Sequence, residues 1–335
     1  MNNKVIDMVE LFNVGYIDKN AFGYRLERYP EGLYKSLSTT GAYMATHSCG
    51  CEIRFVMENP DSYIQITLLS ESLPGDVTIM RGDYWDDFIK FKAGEMKTIT
   101  IKKSNLYETE NNEFFKNDAF SKRVVRIILS SSVFTICDIK TFGFDIRPPY
   151  KSELPKLTGL AYGSSITHGA GSITKSLSYV EQLARGLNSQ IMNKGLGGSC
   201  LMESSIADWF AELSYDYMIF EAGANMYDDY NPEEIEARGK YMLKKLLESH
   251  PDKYVFMLQP PMIFRQKENS DKFKKFSEAV YNIFLSAQSN KCVYIENCEI
   301  QKYSSYVSSD LIHPSAFGHI LMGENLANKI KPYLK

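Results

Sequence analysis

Ser165 stands in the run Leu160-Ala-Tyr-Gly-Ser-Ser-Ile-Thr-His-Gly169, and near the far end the chain reads Asp310-Leu-Ile-His313-Pro314. A serine hydroxyl is a poor nucleophile until an imidazole takes its proton, and that imidazole needs a carboxylate to fix its tautomer and stabilise its charged form. A small-residue turn presenting Ser165, with Asp310 and His313 three apart near the C-terminus, supplies both halves of such a relay.

Two more loops carry groups suited to the same chemistry. Asn193-Lys-Gly195-Leu-Gly-Gly198-Ser199 follows an apolar run, and glycine there lets bare backbone N–H groups approach a developing oxyanion. Glu221-Ala-Gly223-Ala-Asn225-Met226 follows another and offers a side-chain amide donor. His168 is a competing base for Ser165, a pocket residue or a helix cap. Glu221 reads either as a substrate contact or as the partner of a cation such as Arg238. Gln259-Pro-Pro-Met262 either shapes an acyl pocket or is a proline-stiffened loop. Tyr227 and the stretch Asp83-Tyr-Trp-Asp-Asp87 are candidate sugar platforms, with Trp85 also readable as a core or interdomain residue. The remaining histidines show no ligand spacing with Cys or carboxylates, so neither a metal nor another cofactor is expected.

These residues need a scaffold, and two textures divide near residue 150. Before it come short alternating or β-branched segments, among them Glu52-Ile-Arg-Phe-Val-Met57, Tyr63-Ile-Gln-Ile-Thr-Leu-Leu69, Asp76–Met80, Lys97–Ile101 and Val124–Leu129. Many short strands at fairly even spacing predict an all-β sandwich of jelly-roll type over residues 1–150, closed by the paired prolines before Tyr150. After it, apolar runs at Gly159–Tyr162, Gln190–Asn193, Tyr217–Phe220, Tyr254–Leu258 and Val293–Ile295 alternate with helical-period stretches at Leu177–Leu187, Pro232–Ser249, Asp271–Ala287 and Ser315–Lys331. That alternation predicts an α/β domain over 151–335, with a parallel sheet, helices on both faces and catalytic loops at the carboxyl ends of the strands.

Bulk properties bound the rest. A chain of 335 residues is long enough for two cores. A net charge of −3 gives no electrostatic footprint for nucleic acid or an anionic membrane, and no apolar run is long enough to span a bilayer. The opening residues lack the apolar core of a signal peptide, and the six cysteines are scattered, so a cytoplasmic protein with reduced thiols is expected. Homo-oligomer formation is left open.

The four loops together resemble the SGNH (GDSL-type) hydrolase family. Tyr162–Gly169 resembles its first block, Gly198 and Asn225 fall on the glycine and asparagine of the second and third, and Asp310-Leu-Ile-His313-Pro314 matches the last. The resemblance covers roughly residues 157–333 and implies a flavodoxin-like sheet. It implies Ser165 as nucleophile, His313 as base, Asp310 as its orienting acid, and an oxyanion hole from the Ser165 and Gly198 N–H groups and the Asn225 side chain. Two positions depart from the family pattern: Ser164 stands where an aspartate is usual, as does Met226 after Asn225. A β-sandwich ahead of such a domain is similar to carbohydrate acetyl esterases, including carbohydrate esterase family 2. The expectation is an esterase removing a small acyl group, O-acetyl first, from a small-molecule or oligosaccharide ester. A general short-chain esterase or acyltransferase is the alternative, and a non-catalytic saccharide-binding protein a more distant one.

Overall fold

A computed structural model of the protein describes residues 6–59, 61–102, 104, 106, 118–261 and 270–334. The chain divides into two compact units. The first takes the described residues up to Glu31, those from Ala45 to Lys156, and Thr174–Ser176. The second takes Gly32–Met44, Leu157–Ile173 and the residues from Leu177 onward. A single cut near residue 150 therefore misses one N-terminal segment, Gly32–Met44, that belongs with the α/β unit.

In the first unit, strands β1 (Glu10–Phe12), β2 (Tyr16–Asn20), β3 (Gly23–Glu27), β4 (Glu52–Met57), β5 (Tyr63–Ser70), β6 (Gly75–Arg81), β7 (Tyr84–Phe91), β8 (Glu95–Lys102), β9 (Val124–Leu129), β10 (Phe134–Lys140) and β11 (Ile146–Arg147) form two antiparallel sheets. One runs β1-β4-β9-β6-β7 with β11 beside β4, and the other β2-β3-β10-β5-β8. Inward residues of both sheets, among them Ile53, Phe55, Val125 and Ile127 from one and Ile64, Ile66, Phe134 and Ile136 from the other, share one apolar core. That arrangement is a β-sandwich. The period-two alternation shows over the first six residues of β5, where buried Ile64, Ile66 and Leu68 alternate with more exposed Tyr63, Gln65 and Thr67. On β4 and β9 every residue is buried, because Glu52, Arg54 and Arg126 face one another as ion pairs on the side away from the core. Trp85 stands on β7 with 48% of its surface exposed, so it is not the core residue that one sequence reading allowed.

In the second unit, β12 (Leu157–Tyr162), β13 (Ser189–Asn193), β14 (Tyr217–Glu221), β15 (Tyr254–Leu258) and β16 (Cys292–Ile295) form an all-parallel sheet in the order β13-β12-β14-β15-β16. This is the flavodoxin-like order, whose topological switch point lies beside the first strand, β12. The central strand β14, Tyr-Met-Ile-Phe-Glu, is buried at every position, as a strand covered on both faces must be.

The helices of this unit are α2 (Ser165–His168), α3 (Tyr179–Gly186), α4 (Ser204–Phe210), α5 (Pro232–Ser249), α6 (Asp271–Ser286), α7 (Asn297–Ile300) and α8 (Ala316–Ile330). Helix α1 (Thr39–Thr46) also reaches it, through Met44. Several start where the sequence provides a cap: Ser178, Asn231, Ser270 and Ser315 each accept from a backbone N–H one turn into their helix. Small residues allow close helix contacts. A Cβ on Gly323 of α8 would lie 2.5 Å from Gln182 Cβ on α3, and one on Gly186 would lie 2.5 Å from Ala327 Cβ.

Candidate active site

At the carboxyl end of β12 the chain turns sharply at Gly163, where a side chain would collide with Thr167 and Glu221. Ser164 caps α2, its Oγ accepting from Ile166 N at 3.2 Å, and Ser165 is the first residue of that helix. An N–H at this position has no intrahelical acceptor, so the turn presents both the Ser165 hydroxyl and a free backbone donor.

His313 arrives from the loop before α8. Ser315 caps that helix, Val307 and Pro314 form an antiparallel bridge, and Ser308 N donates to His313 O at 2.8 Å. The Gly169–Ile173 loop packs on the other side. Gly171 (φ +91°) lies so close to Pro314 O that a Cβ would overlap it, and that Cβ would sit 3.5 Å from His313 Cβ. The loop is held by buried His319, whose Nε2–H donates to Ala170 O at 2.8 Å while Nδ1 accepts from Tyr179 N at 3.2 Å.

These elements bring Ser165 Oγ to 2.8 Å from His313 Nε2, and His313 Nδ1 to 2.7 Å from Asp310 Oδ2. The other Asp310 oxygen, Oδ1, accepts from Ser308 Oγ at 2.7 Å, Ile312 N at 2.9 Å and His313 N at 3.0 Å. Desolvation pushes this carboxyl up, but the hydrogen bonds from His313, Ser308 and the backbone outweigh it and hold Asp310 well below the usual carboxylate range. An ionised Asp310 places the His313 proton on Nδ1 and leaves the Nε2 lone pair facing the Ser165 hydroxyl. Leu311, between them, adopts φ +59°, a left-handed conformation unusual for a branched residue, which lets Asp310 fold back onto the N–H groups that follow it.

The glycine loop after β13 lies against the Ser165 turn. Leu196 N donates to Gly163 O at 2.8 Å, and a Cβ on Gly197 would lie 3.6 Å from Ser165 Cβ. Gly198 itself is exposed with φ +69°. Asn225, in the turn after β14, accepts from Cys200 N at 3.0 Å through its Oδ1. With the carbonyl end engaged, the amide NH2 is the end left to donate. Ser165, Asn225 and Asp310 all line one cavity of about 430 Å³, together with Ile166, Ala224, Tyr227, Asp228, Asp229, Pro261, Leu311 and Ile312.

The weaker sequence candidates separate. Tyr227 lines the cavity. Glu221 is fully buried at the end of β14, does not line the cavity and does not pair with Arg238. Its carboxyl takes Ser164 Oγ at 2.5 Å, Ser164 N at 3.1 Å and Thr167 Oγ1 at 2.6 Å, while Arg238 bonds Glu234 and Leu201 O. Burial, only partly offset by those hydrogen bonds, raises its pKa. His168 ends α2, is buried and does not line that cavity, while the imidazole within hydrogen-bond distance of Ser165 Oγ is that of His313. Gln259 spends its side-chain oxygen on Asn297 N at 3.0 Å and does not line the cavity, whereas Pro261 beside it does; Met262 lies outside the described residues. Trp85 belongs to the first unit. Sequence reasoning did not single out Asp228, Asp229, Leu311 and Ile312, which line the cavity within two residues of Tyr227, Asp310 or His313. Among the described residues no group of His, Cys, Asp and Glu could hold a metal, and no helix is long and apolar enough to cross a membrane.

A flavodoxin-like sheet with Ser, Gly, Asn and His loops gathered at its switch point defines the class as an SGNH-type hydrolase fold. Residues 159–331 match the model of the GDSL-like Lipase/Acylhydrolase family, and the chain belongs to that family. It is an ester-hydrolysing enzyme. No curated protein sequence shows a significant match. Among solved structures, the chain is similar to the salicylyl-acyltransferase SsfX3 from a tetracycline biosynthetic pathway, with TM-score 0.79, 11% identity, and 97% of this chain and 95% of that one covered. It is also similar to a family two carbohydrate esterase from Clostridium thermocellum (TM-score 0.65, 13% identity, 97% and 99% covered). An acetyl xylan esterase from Butyrivibrio proteoclasticus gives TM-score 0.61 at 12% identity, with 100% and 97% covered. At these identities the likeness is one of fold, and it spans both units.

Proposed function

We propose that the protein removes a small acyl group, acetyl first, from a carbohydrate or glycoside through a Ser165–His313–Asp310 relay. The observation that carries this reading is the continuous run of hydrogen bonds from Ser165 Oγ to His313 and on to Asp310, at the wall of a cavity also lined by Asn225. His313 takes the Ser165 proton as Oγ attacks the ester carbonyl. The oxyanion is received by the Ser165 and Gly198 N–H groups and the Asn225 amide. His313 then gives its proton to the departing alcohol, leaving an acyl-serine. Water, deprotonated by His313, attacks that ester, and collapse of the second tetrahedral intermediate returns the proton to Ser165 and frees the acid. Tyr227, Asp228 and Asp229 at the cavity offer ring and carboxylate contacts for sugar hydroxyls.

A second reading is acyl transfer or general short-chain ester hydrolysis. It is favoured by the apolar side of the same cavity, where Ile166, Pro261, Leu311 and Ile312 stand together and Leu311 and Ile312 are half or more exposed. Acetate release from a panel of acetylated oligosaccharides, with and without an added alcohol acceptor, separates the readings. Free acetate from sugars, lost in Ser165→Ala, supports the first. Acyl product on the acceptor, at the expense of free acid, supports the second, and silence on every acetylated sugar counts against the carbohydrate assignment.

A further inference from the structure

The segment Gly32–Met44 precedes most of the sandwich strands in sequence yet belongs to the second unit. Ser38 caps α1: its Oγ accepts from Gly41 N at 3.0 Å, and its carbonyl accepts from Ala42 N at 2.8 Å. The same hydroxyl lies 2.7 Å from the Oγ of Ser199, a fully buried residue next to Gly198. A second fastening lies nearby, where Ser36 Oγ donates to Ser205 Oγ at 2.7 Å.

The segment touches the glycine loop at Gly197, Gly198 and Ser199. A Cβ on Gly41 would sit 2.8 Å from Ser199 Oγ and 3.2 Å from Ser38 Oγ, so any side chain there must displace the Ser199 hydroxyl. A Cβ on Gly197 would meet Met44 Cε at 3.0 Å, with Ser165 on its other side, and the space over Gly198 is bounded by Thr40 Cγ2 at 3.7 Å. The loop is tied on either side of its last glycine pair, with Lys194 N bonded to Ala161 O and Gly195 N to Asn193 Oδ1. Leu196 N and Ser199 N are bonded, to Gly163 O and Leu196 O, while the N–H groups of Gly197 and Gly198 have no acceptor among the described residues. Adjacent glycines are conformationally free, and an oxyanion donor is effective only when held in place before reaction.

We propose that Leu37–Met44 is a brace for the oxyanion loop, in which Ser38 and Gly41 act through Ser199 as positioning residues for the Gly198 N–H. This rests on reading Gly198 as an oxyanion donor. The test compares wild type, Gly41→Ala, Ser199→Ala and the double variant in the full-length protein, measuring kcat and KM on 4-nitrophenyl acetate. In parallel, amide hydrogen exchange is followed over Gly195–Ser199. Alanine is the better helix former, so helix propensity alone gives Gly41→Ala equal or higher stability. The brace instead gives a fall in kcat of about tenfold or more with KM little changed, faster exchange across the loop, and return of both to the Ser199→Ala level in the double variant. Ser38→Ala, which adds no atom, covers the event that Gly41→Ala does not fold, and it is expected to loosen the same amides. Unchanged kcat and exchange in Gly41→Ala and Ser38→Ala, or no rescue in the double variant, would overturn the proposal. Exchange needs no turnover, so a wild type inactive on esters defeats the serine mechanism while the exchange result still decides whether the brace exists.

Discussion

Glu221 Oε1 lies 2.5 Å from Ser164 Oγ, and Ser164 caps the helix that opens with Ser165. One buried carboxyl thus gathers the donors of the Ser165 turn, taking Ser164 N and Thr167 Oγ1 on its other oxygen. Glu221→Ala leaves those groups unpaired in a dry site and is expected to cost about 2–4 kcal/mol of stability. Glu221→Gln keeps the shape and one acceptor and is expected to cost less. Urea unfolding of the two variants checks the order.

The raised pKa of Glu221 has a sign for stability. A folded-state value above the unfolded one means that the native state holds the proton longer. Stability is therefore full below the ordinary glutamate range and declines as pH rises from there through the raised value. Glu221→Gln removes this decline. Melting temperatures across a pH series are expected to fall with pH more steeply in wild type than in the variant, and parallel curves would contradict it.

How much of this was legible in the sequence depended on chain distance. Ser165, Asp310 and His313, which are hydrogen-bonded in a row, sit in short runs that stand out in the sequence, and the five parallel strands announced themselves as apolar runs. Glu221 was misread because its true partner, Ser164, is 57 residues away and carries no charge, whereas Arg238 looked like a natural counterion. The contact of Ser38 with Ser199 spans 161 residues between two plain serines. No local pattern marks such a pair, because close packing rather than periodicity creates it. Leu311 and Ile312 were visible only as the unspecified middle of the Asp-x-x-His motif, since the left-handed turn at Leu311 that brings them to the cavity is a backbone property.

Asp310→Asn retains the shape of the loop but lets His313 adopt the wrong tautomer. The expected loss in kcat is about 10³–10⁴, with KM little changed, as in other serine relays. Steady-state kinetics on 4-nitrophenyl acetate measures it, and a loss under tenfold would show that Asp310 does not govern the imidazole.

Asn225 engages Cys200 N through its oxygen, and the proposed reading has its NH2 donate to the oxyanion. Asn225→Ala is expected to lower kcat by about 10²–10³. Asn225→Asp, which substitutes an acceptor for the donor, is expected to fall at least as far. A rise in KM alone would assign Asn225 to substrate binding.

Leu311 and Ile312 form the apolar side of the cavity. Replacing both by alanine is expected to shift the relative kcat/KM among acetate, butyrate and octanoate esters towards the longer chains, leaving labelling of Ser165 intact. An unchanged chain-length profile would place the acyl group elsewhere.

Ser165 as the nucleophile is tested most directly by a fluorophosphonate probe, with the adduct located by peptide mass spectrometry in wild type, Ser165→Ala and His313→Ala. The expected result is a single adduct on Ser165, none in Ser165→Ala, and much slower labelling in His313→Ala, in parallel with hydrolysis of 4-nitrophenyl acetate. Equal labelling and equal turnover in wild type and Ser165→Ala would contradict the serine mechanism.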